Sequence, residues 1–372
     1  MFPERFGRGF VLTGPPRASA GAVRVFHCDH CGQLVSFEST TCPRCGRALA
    51  FLPERRDLAS LDRDADGTLR TRAGRAVRLC ANYAEHQVCN WAVAAETAGP
   101  LCRACALTRT IPNLGKPENL RLWHKLEIAK RRLVYTLDAL GIPLRSKHAD
   151  PERGVAFEVL EGALTAHANG VVTVALEEAD DVVRTRRRAE LREPYRTLLG
   201  HLRHESGHCV WAELVGGAPR LDAFRALFGD ERADYAEALR RHYGVGPPSD
   251  WQAAHVSAYA TMHPWEDWAE TWAHYLHLVD TLETARASGV SVAPSRSDEP
   301  AARSVPDPTS PVPFQHLLES WSALTYVLDN LNRGLGLDDP CPSVLSAAAA
   351  DKLRFVHDVV AEVSAVRRAQ SR

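Results

Sequence analysis

The sequence predicts an α+β protein in which a mainly helical domain with a small sheet follows small cysteine-rich modules. Three observations predict it. Eight of the ten cysteines lie between Cys28 and Cys105, at the spacings of metal ligands. Two short runs rich in β-branched residues, Val155 to Leu160 and Val171 to Leu176, flank a turn signal. Much of the remaining chain repeats apolar residues at helical spacing, and one such stretch carries His204-Glu205-Ser206-Gly207-His208.

Residues 1–21 are rich in Gly, Pro and Arg without periodicity and read as a flexible leader. Residues 22–50 contain Cys28-Asp29-His30-Cys31-Gly32 and Cys42-Pro43-Arg44-Cys45-Gly46, the two knuckles of a zinc ribbon. Each C-x-x-C bends the chain so that both sulfurs reach one ion, and the following glycine permits a left-handed turn. Four thiolates fill a tetrahedral shell, so this zinc is expected to be structural. Residues 51–75, where charges alternate with small residues, read as a linker or short hairpin. Residues 76–115 form a second four-cysteine zinc module from Cys80, Cys89, Cys102 and Cys105, with His86 as an alternative ligand and Trp91 as apolar cover.

Residues 116–372 are expected to form the catalytic domain. Apolar spacing from Pro117 to Leu140 predicts a long helix ending at Gly141-Ile142-Pro143, with Lys125, Lys130, Arg131 and Arg132 on a solvated face. The two β runs, with His167-Ala168-Asn169-Gly170 as their turn signal, predict a small antiparallel or mixed sheet. Arg184, Arg186, Arg187, Arg188, Arg192 and Arg196 read as a solvated loop and first helical turn. Lining a cleft instead, they would favour an acidic substrate or a C-terminal carboxylate.

Leu198, Leu199, Leu202, Val210 and Leu214 predict the next helix, with Pro194 near its start and Gly216-Gly217 at its stop. His204 and His208 project about 40° apart on that helix, so two imidazoles can hold one ion. Glu205 is then free to take a proton from water, the arrangement of a zinc hydrolase. A third histidine further along the same helix is excluded, because Trp211 and Leu214 occupy the positions such a continuation needs.

The third ligand is expected from the stretch Tyr259 to His277. His263-Pro264 opens a helix, and Trp265, Trp268, Trp272 and Leu276 form its apolar stripe. Glu266 and Glu270 lie one turn apart beside the tryptophans, where bare carboxylates are costly to bury. The preferred assignment makes Glu266 the ligand and Glu270 the acceptor for the outward nitrogen of a liganding histidine; the reverse is the alternative. Tyr259 is either an oxyanion donor or an ordinary core tyrosine. His201, His255 and His263 are left out of the site.

Leu221 to Tyr243 reads as a helical wall of the cleft, and residues 286–312, rich in Ser, Pro, Ala and Asp, as a mobile insertion. Phe314 to Leu331 and Ala347 to Val366 are core helices. Cys209 and Cys341 are small apolar residues without cysteine neighbours at ligand spacing.

A chain of 372 residues suffices for one sizeable core and a smaller module. Its net charge of −1 offers no global attraction to nucleic acid or anionic membrane, and no apolar run approaches the ~20 residues of a membrane span. Met1 to Phe6 does not lead into a signal-peptide core, so a cytoplasmic location is expected, where cysteines serve as metal ligands.

With these residues the chain resembles a gluzincin, and the spacing of Tyr259, Glu266 and Glu270 after the histidine pair is similar to that of the lethal-factor-like metallopeptidases. More closely, from about Phe26 to about Val363 it resembles a bacterial family of zinc-binding metallopeptidases with an N-terminal zinc ribbon. The segment Glu266-Asp267-Trp268-Ala269-Glu270-Thr271-Trp272-Ala273-His274-Tyr275 is the most specific part of that likeness. The resemblance implies a zincin fold, zinc on His204, His208 and Glu266, and Glu205 as base; it implies no substrate.

The expectation is therefore a zinc metallopeptidase with one catalytic and two structural zinc ions, acting on a peptide or protein and not on nucleic acid or membrane. The alternative is a zinc-stabilised module that binds protein or nucleic acid without turnover.

Overall fold

The computed structural model describes residues 25–191, 197–217, 219–339 and 344–370. The expected leader, Arg192, Pro194, Arg196 and Cys341 lie outside them. The fold is a mixture of helix and sheet.

The chain begins with a two-stranded antiparallel hairpin, β1 (Phe26–His27) and β2 (Leu34–Val35). An antiparallel meander follows: β3 (Ala48–Leu52), β4 (Asp57–Arg63), β5 (Leu69–Thr71), β6 (Ala76–Leu79) and β7 (Ala92–Ala94). A single helical turn, α1 (Ala81–Ala84), sits between the last two strands. Residues 51–75, read as a linker or short hairpin, are strands and turns of this meander. Their charges mark the turns and not the segment as a whole: Arg56 has φ +50° between β3 and β4, and Gly67 has φ +87° between β4 and β5. Between those turns the strands alternate, with Leu49, Phe51 and Leu58 facing one apolar cluster and Ala50, Leu52, Ala59 and Leu61 another.

Strand β8 (Thr108–Thr110) leads into α2 (Pro117–Ala139). The face of α2 expected to be solvated is in part buried. Lys130 Nζ is 2.6 Å from Glu127 Oε1, and Arg131 donates to the carbonyl of Val88; both side chains are covered. The reason is that α2 is covered on two sides: Phe26, Phe37 and Phe51 pack against its Tyr135, and the later helices pack on it as well.

After α2 come β9 (Ala156–Leu160), β10 (Ala166–Ala168) and β11 (Val171–Ala175). With β8 they form a mixed sheet in the order β10-β11-β9-β8, parallel except for the β10–β11 hairpin. Asn169 and Gly170, at φ +50° and +75°, make that hairpin's two-residue turn.

The remaining elements are helices: α3 (Asp181–Leu191), α4 (Leu198–Leu214), α5 (Arg220–Phe228), α6 (Tyr235–Val245), α7 (Pro264–Ala287), α8 (Phe314–Gly334) and α9 (Ala347–Gln370). The segment read as one helical wall is two helices, broken at Gly229 (φ +98°). The interval 286–312, expected to be a mobile insertion, buries Ala302 and Val305 against Leu278, Leu282 and Trp321 of α7 and α8. Its few apolar residues are spaced too irregularly to announce that packing.

Helices α4 and α7 cross at the centre of the core. Trp268 Nε1 donates to the Gly207 carbonyl at 2.9 Å and Trp272 Nε1 to Ser206 Oγ at 3.0 Å. No helix among the described residues is long and apolar enough to cross a membrane.

Candidate metal centre

Each helix that carries the site opens on a side-chain cap. Thr197 Oγ1 accepts from Gly200 N at 2.9 Å to start α4. His263 Nδ1 accepts from Trp265 N at 3.1 Å to start α7, with Pro264 as its first residue. From these starts the helical period turns His204 and His208 on α4 toward Glu266 on α7.

Three ligand atoms converge. His204 Nε2 and His208 Nε2 lie 3.2 Å apart, and Glu266 Oε2 is 3.0 Å from the first and 3.5 Å from the second. Metal bonds of 2.0–2.2 Å at tetrahedral angles set neighbouring ligand atoms roughly 3.3–3.6 Å apart, so this donor set and spacing fit zinc. All three residues are buried. Glu270 does not join them; its Oε1 is 2.7 Å from His204 Nδ1. Burial pushes the Glu270 carboxyl up, and the hydrogen bond and charge of His204 overcome this, leaving it at about 2. An ionised Glu270 keeps the Nδ1 proton on His204 and frees its Nε2 for a metal.

His208 is oriented by stacking. Its ring lies between Trp265 (5.1 Å, 10°) and His167 (5.8 Å, 20°). His167 sits on the edge strand β10, where the sequence reading assigned it only to a turn.

Glu205 is buried beside the histidines, its Oε1 3.3 Å from His201 Nε2. His201 Nδ1 in turn lies 2.7 Å from Glu178 Oε2, and Arg187 Nη1 is 3.3 Å from the other Glu178 oxygen. Burial lowers the His201 pKa, but hydrogen bonds to both carboxylates overcome it and hold the ring at about 9. Glu205 remains below its ordinary value, because His201 and the neighbouring histidines outweigh its burial. Thus His201, left out of the predicted site, clamps Glu205, and Arg187 reaches the cleft that the basic cluster was expected to avoid. His255 lies near Asp267, at 3.6 Å. His263 serves as the cap.

Tyr259 lies in a short turn of 3-10 helix, its ring 6.1 Å from that of His204. Burial pushes its phenol far up, with Glu266 adding to the effect, so it is protonated and available as a donor. Nearby, the Tyr235 hydroxyl donates to Glu266 Oε1 at 2.9 Å. Tyr235 falls inside the stretch read as a helical wall, and sequence reasoning gives it no part in the site. All these groups line one cleft of about 1430 Å³, with Leu164, His242, Tyr243, Val245 and Trp251 among the other wall residues.

Both cysteine sets also converge. Cys28 Sγ is 3.8 Å from Cys45 Sγ and Cys31 Sγ 3.6 Å from Cys42 Sγ, the spacing of thiolates sharing one zinc. Gly32 (φ +73°) and Gly46 (φ +71°) close the knuckles, donating to the carbonyls of Cys28 and Cys42. In the second set Cys89 Sγ is 3.8 Å from Cys102 Sγ, and backbone amides of Cys102, Trp91 and Cys105 point at the sulfurs of Cys80, Cys89 and Cys102. His86 stands apart with its ring against Trp123.

A zinc-ribbon domain matches residues 25–116, spanning both cysteine sets and the meander between them. Uncharacterized proteins of Mycobacterium tuberculosis and Mycobacterium bovis are each 44% identical over 347 residues, covering 92% of this chain and 96% of theirs. No solved structure matches. The family described as "putative zinc-binding metallo-peptidase" matches residues 119–359, which include α4, α7 and all three converging ligands, and the chain belongs to that family.

Proposed function

We propose that the protein is a zinc metallopeptidase of the gluzincin type with a zincin-like catalytic domain, and that it hydrolyses peptide bonds. The observation that carries this reading is the triangle of His204 Nε2, His208 Nε2 and Glu266 Oε2 with an ionised Glu205 beside it in an open cleft. Two imidazoles and one carboxylate leave a coordination position for water or substrate, as in catalytic zinc sites and unlike the four-thiolate sites. Zinc held there supplies Lewis acidity, polarising a carbonyl and acidifying water.

The chain's own residues do the rest. Glu205 accepts the proton of the attacking water and delivers it to the leaving nitrogen. His201, held between Glu178 and Glu205, fixes the direction of the Glu205 carboxylate. Tyr259 offers its hydroxyl to the oxyanion that develops on the substrate. Glu270 keeps His204 in the tautomer that ligates.

The two cysteine sets hold structural zinc and support the catalytic domain. Three arginines of the meander support this over nucleic-acid reading, because they are already engaged: Arg70 with Asp64, Arg75 with Glu54, and Arg78 with the carbonyls of Thr97 and Gly99.

Metal analysis of the full chain and of a Glu266→Ala variant tests the proposal. Three zinc ions per chain are expected, falling to two in the variant. A variant that retains all three would remove Glu266 from the site and with it this mechanism.

A further inference from the structure

Only one oxygen of Glu266 faces the histidines. Oε2 is the atom near His204 and His208, while Oε1 is 2.9 Å from the Tyr235 hydroxyl. An ionised carboxylate only accepts, so Tyr235 donates. The Tyr235 phenol therefore holds the oxygen turned away from the histidines.

Tyr235 is delivered to Glu266 by a built connection. His263 Nδ1 accepts from Trp265 N at the start of α7, which leaves Nε2 to carry the proton and donate to the Ala233 carbonyl at 2.9 Å. Ala233 lies just ahead of α6, whose first turn is capped by Asp234 Oδ1 accepting from Glu237 N at 2.9 Å. Gly229 is set close to Pro264; a side chain there would begin 3.2 Å from the proline ring, in a backbone conformation of φ +98°. One histidine thus caps α7 and pins the start of α6 above it. Helix α6 buries only Ala238, so apolar packing does little to position it.

We propose that Tyr235 is a positioning residue: by occupying Oε1, it restricts Glu266 to ligation through Oε2 alone and keeps a coordination position open on the metal. This rests on the reading that Glu266 is a ligand. A carboxylate whose distal oxygen is free can turn to offer both oxygens to the ion. A hydrogen bond to the distal oxygen removes that freedom before the metal arrives.

The test compares the full-length wild type, Tyr235→Phe and Glu266→Ala. Zinc affinity of the most weakly held ion is measured by competition with a chelator, and the visible spectrum is recorded with cobalt exchanged into that site. Tyr235→Phe keeps the ring, 5.3 Å from that of His263, and removes one oxygen. It should bind the zinc about 10–100-fold more weakly and shift the cobalt bands, with the melting midpoint of the metal-free chain unchanged. If affinity and spectrum match wild type while Glu266→Ala loses the ion, the positioning role is refuted and the ligand reading stands. If the metal-free midpoint drops as well, Tyr235 acts on the fold and the proposal fails. If Glu266→Ala keeps the ion, the ligand reading fails and takes this inference with it.

Discussion

Gly207 and Trp272 meet with no room for a methyl group between them: a Cβ at Gly207 would lie 2.9 Å from Trp272 Cδ1. Gly207 stands between the two site histidines on α4, and Trp272 belongs to the helix that carries Glu266. The closeness of that contact sets how near the carboxylate comes to the imidazoles.

Gly207→Ala should therefore push α4 and α7 apart. Overpacking a dense interior costs about 1–3 kcal/mol, against which the better helix propensity of alanine returns at most about 1 kcal/mol. The variant should melt at a lower temperature and bind the site zinc more weakly. A melting curve and a zinc titration check this; wild-type values in both would show that the interface has slack.

Removing the acceptor from His204 should act through the metal. Glu270→Ala leaves Nδ1 of a buried ring without its 2.7 Å partner. Zinc affinity should fall about 10–100-fold, whereas Glu270→Gln, which keeps an acceptor oxygen, should fall less. Equal affinities in all three proteins would mean that Glu270 does not orient the ring.

The ribbon and the catalytic helices share one apolar core. It runs from Cys80, Cys89 and Cys102 through Trp123 and Leu133 of α2 to Leu202 and Trp272. Cys102→Ser should accordingly lower the melting temperature of the whole chain in a single transition, because structural zinc supplies folding free energy. Two separate transitions, with the catalytic part unmoved, would refute the shared core.

A pH dependence follows from Asp138, which meets Arg103 of the ribbon at 2.7 Å. Burial raises its carboxyl from 3.8 to about 7, with Arg103 and Arg56 offsetting only part of the effect. The folded value lies above the unfolded one, so the protonated form favours the fold. Stability at this group should be highest below pH 4 and decline as pH rises to about 7. Asp138→Asn should remove that decline, as read from denaturant midpoints at pH 5 and pH 8. Parallel pH profiles in the two proteins would contradict it.

Much of the site is legible in the sequence, because helical period alone aligns His204 with His208 and Glu266 with Glu270, and because C-x-x-C-G spells out a knuckle. Tyr235 and His167 are not legible. Tyr235 falls at helical spacing with apolar neighbours, and His167 sits in a turn signal; only the crossing of α6 and β10 over the metal helices gives either a role. The buried pair Lys130 and Glu127 is hidden for the same reason, since a helix covered on both sides looks amphipathic when read by itself. Residues 51–75 leave linker and hairpin both open, because their turn charges are more conspicuous than the alternation of their strands.

Glu205 carries the central claim, and one substitution isolates it. Glu205→Gln keeps the shape and the zinc ligands and removes the group that takes the proton. Incubated with a mixed peptide library and followed by mass spectrometry, the zinc-loaded variant should cleave about 10²–10⁴-fold more slowly than wild type, with zinc content unchanged. Cleavage at the wild-type rate by a zinc-loaded Glu205→Gln protein would contradict the account.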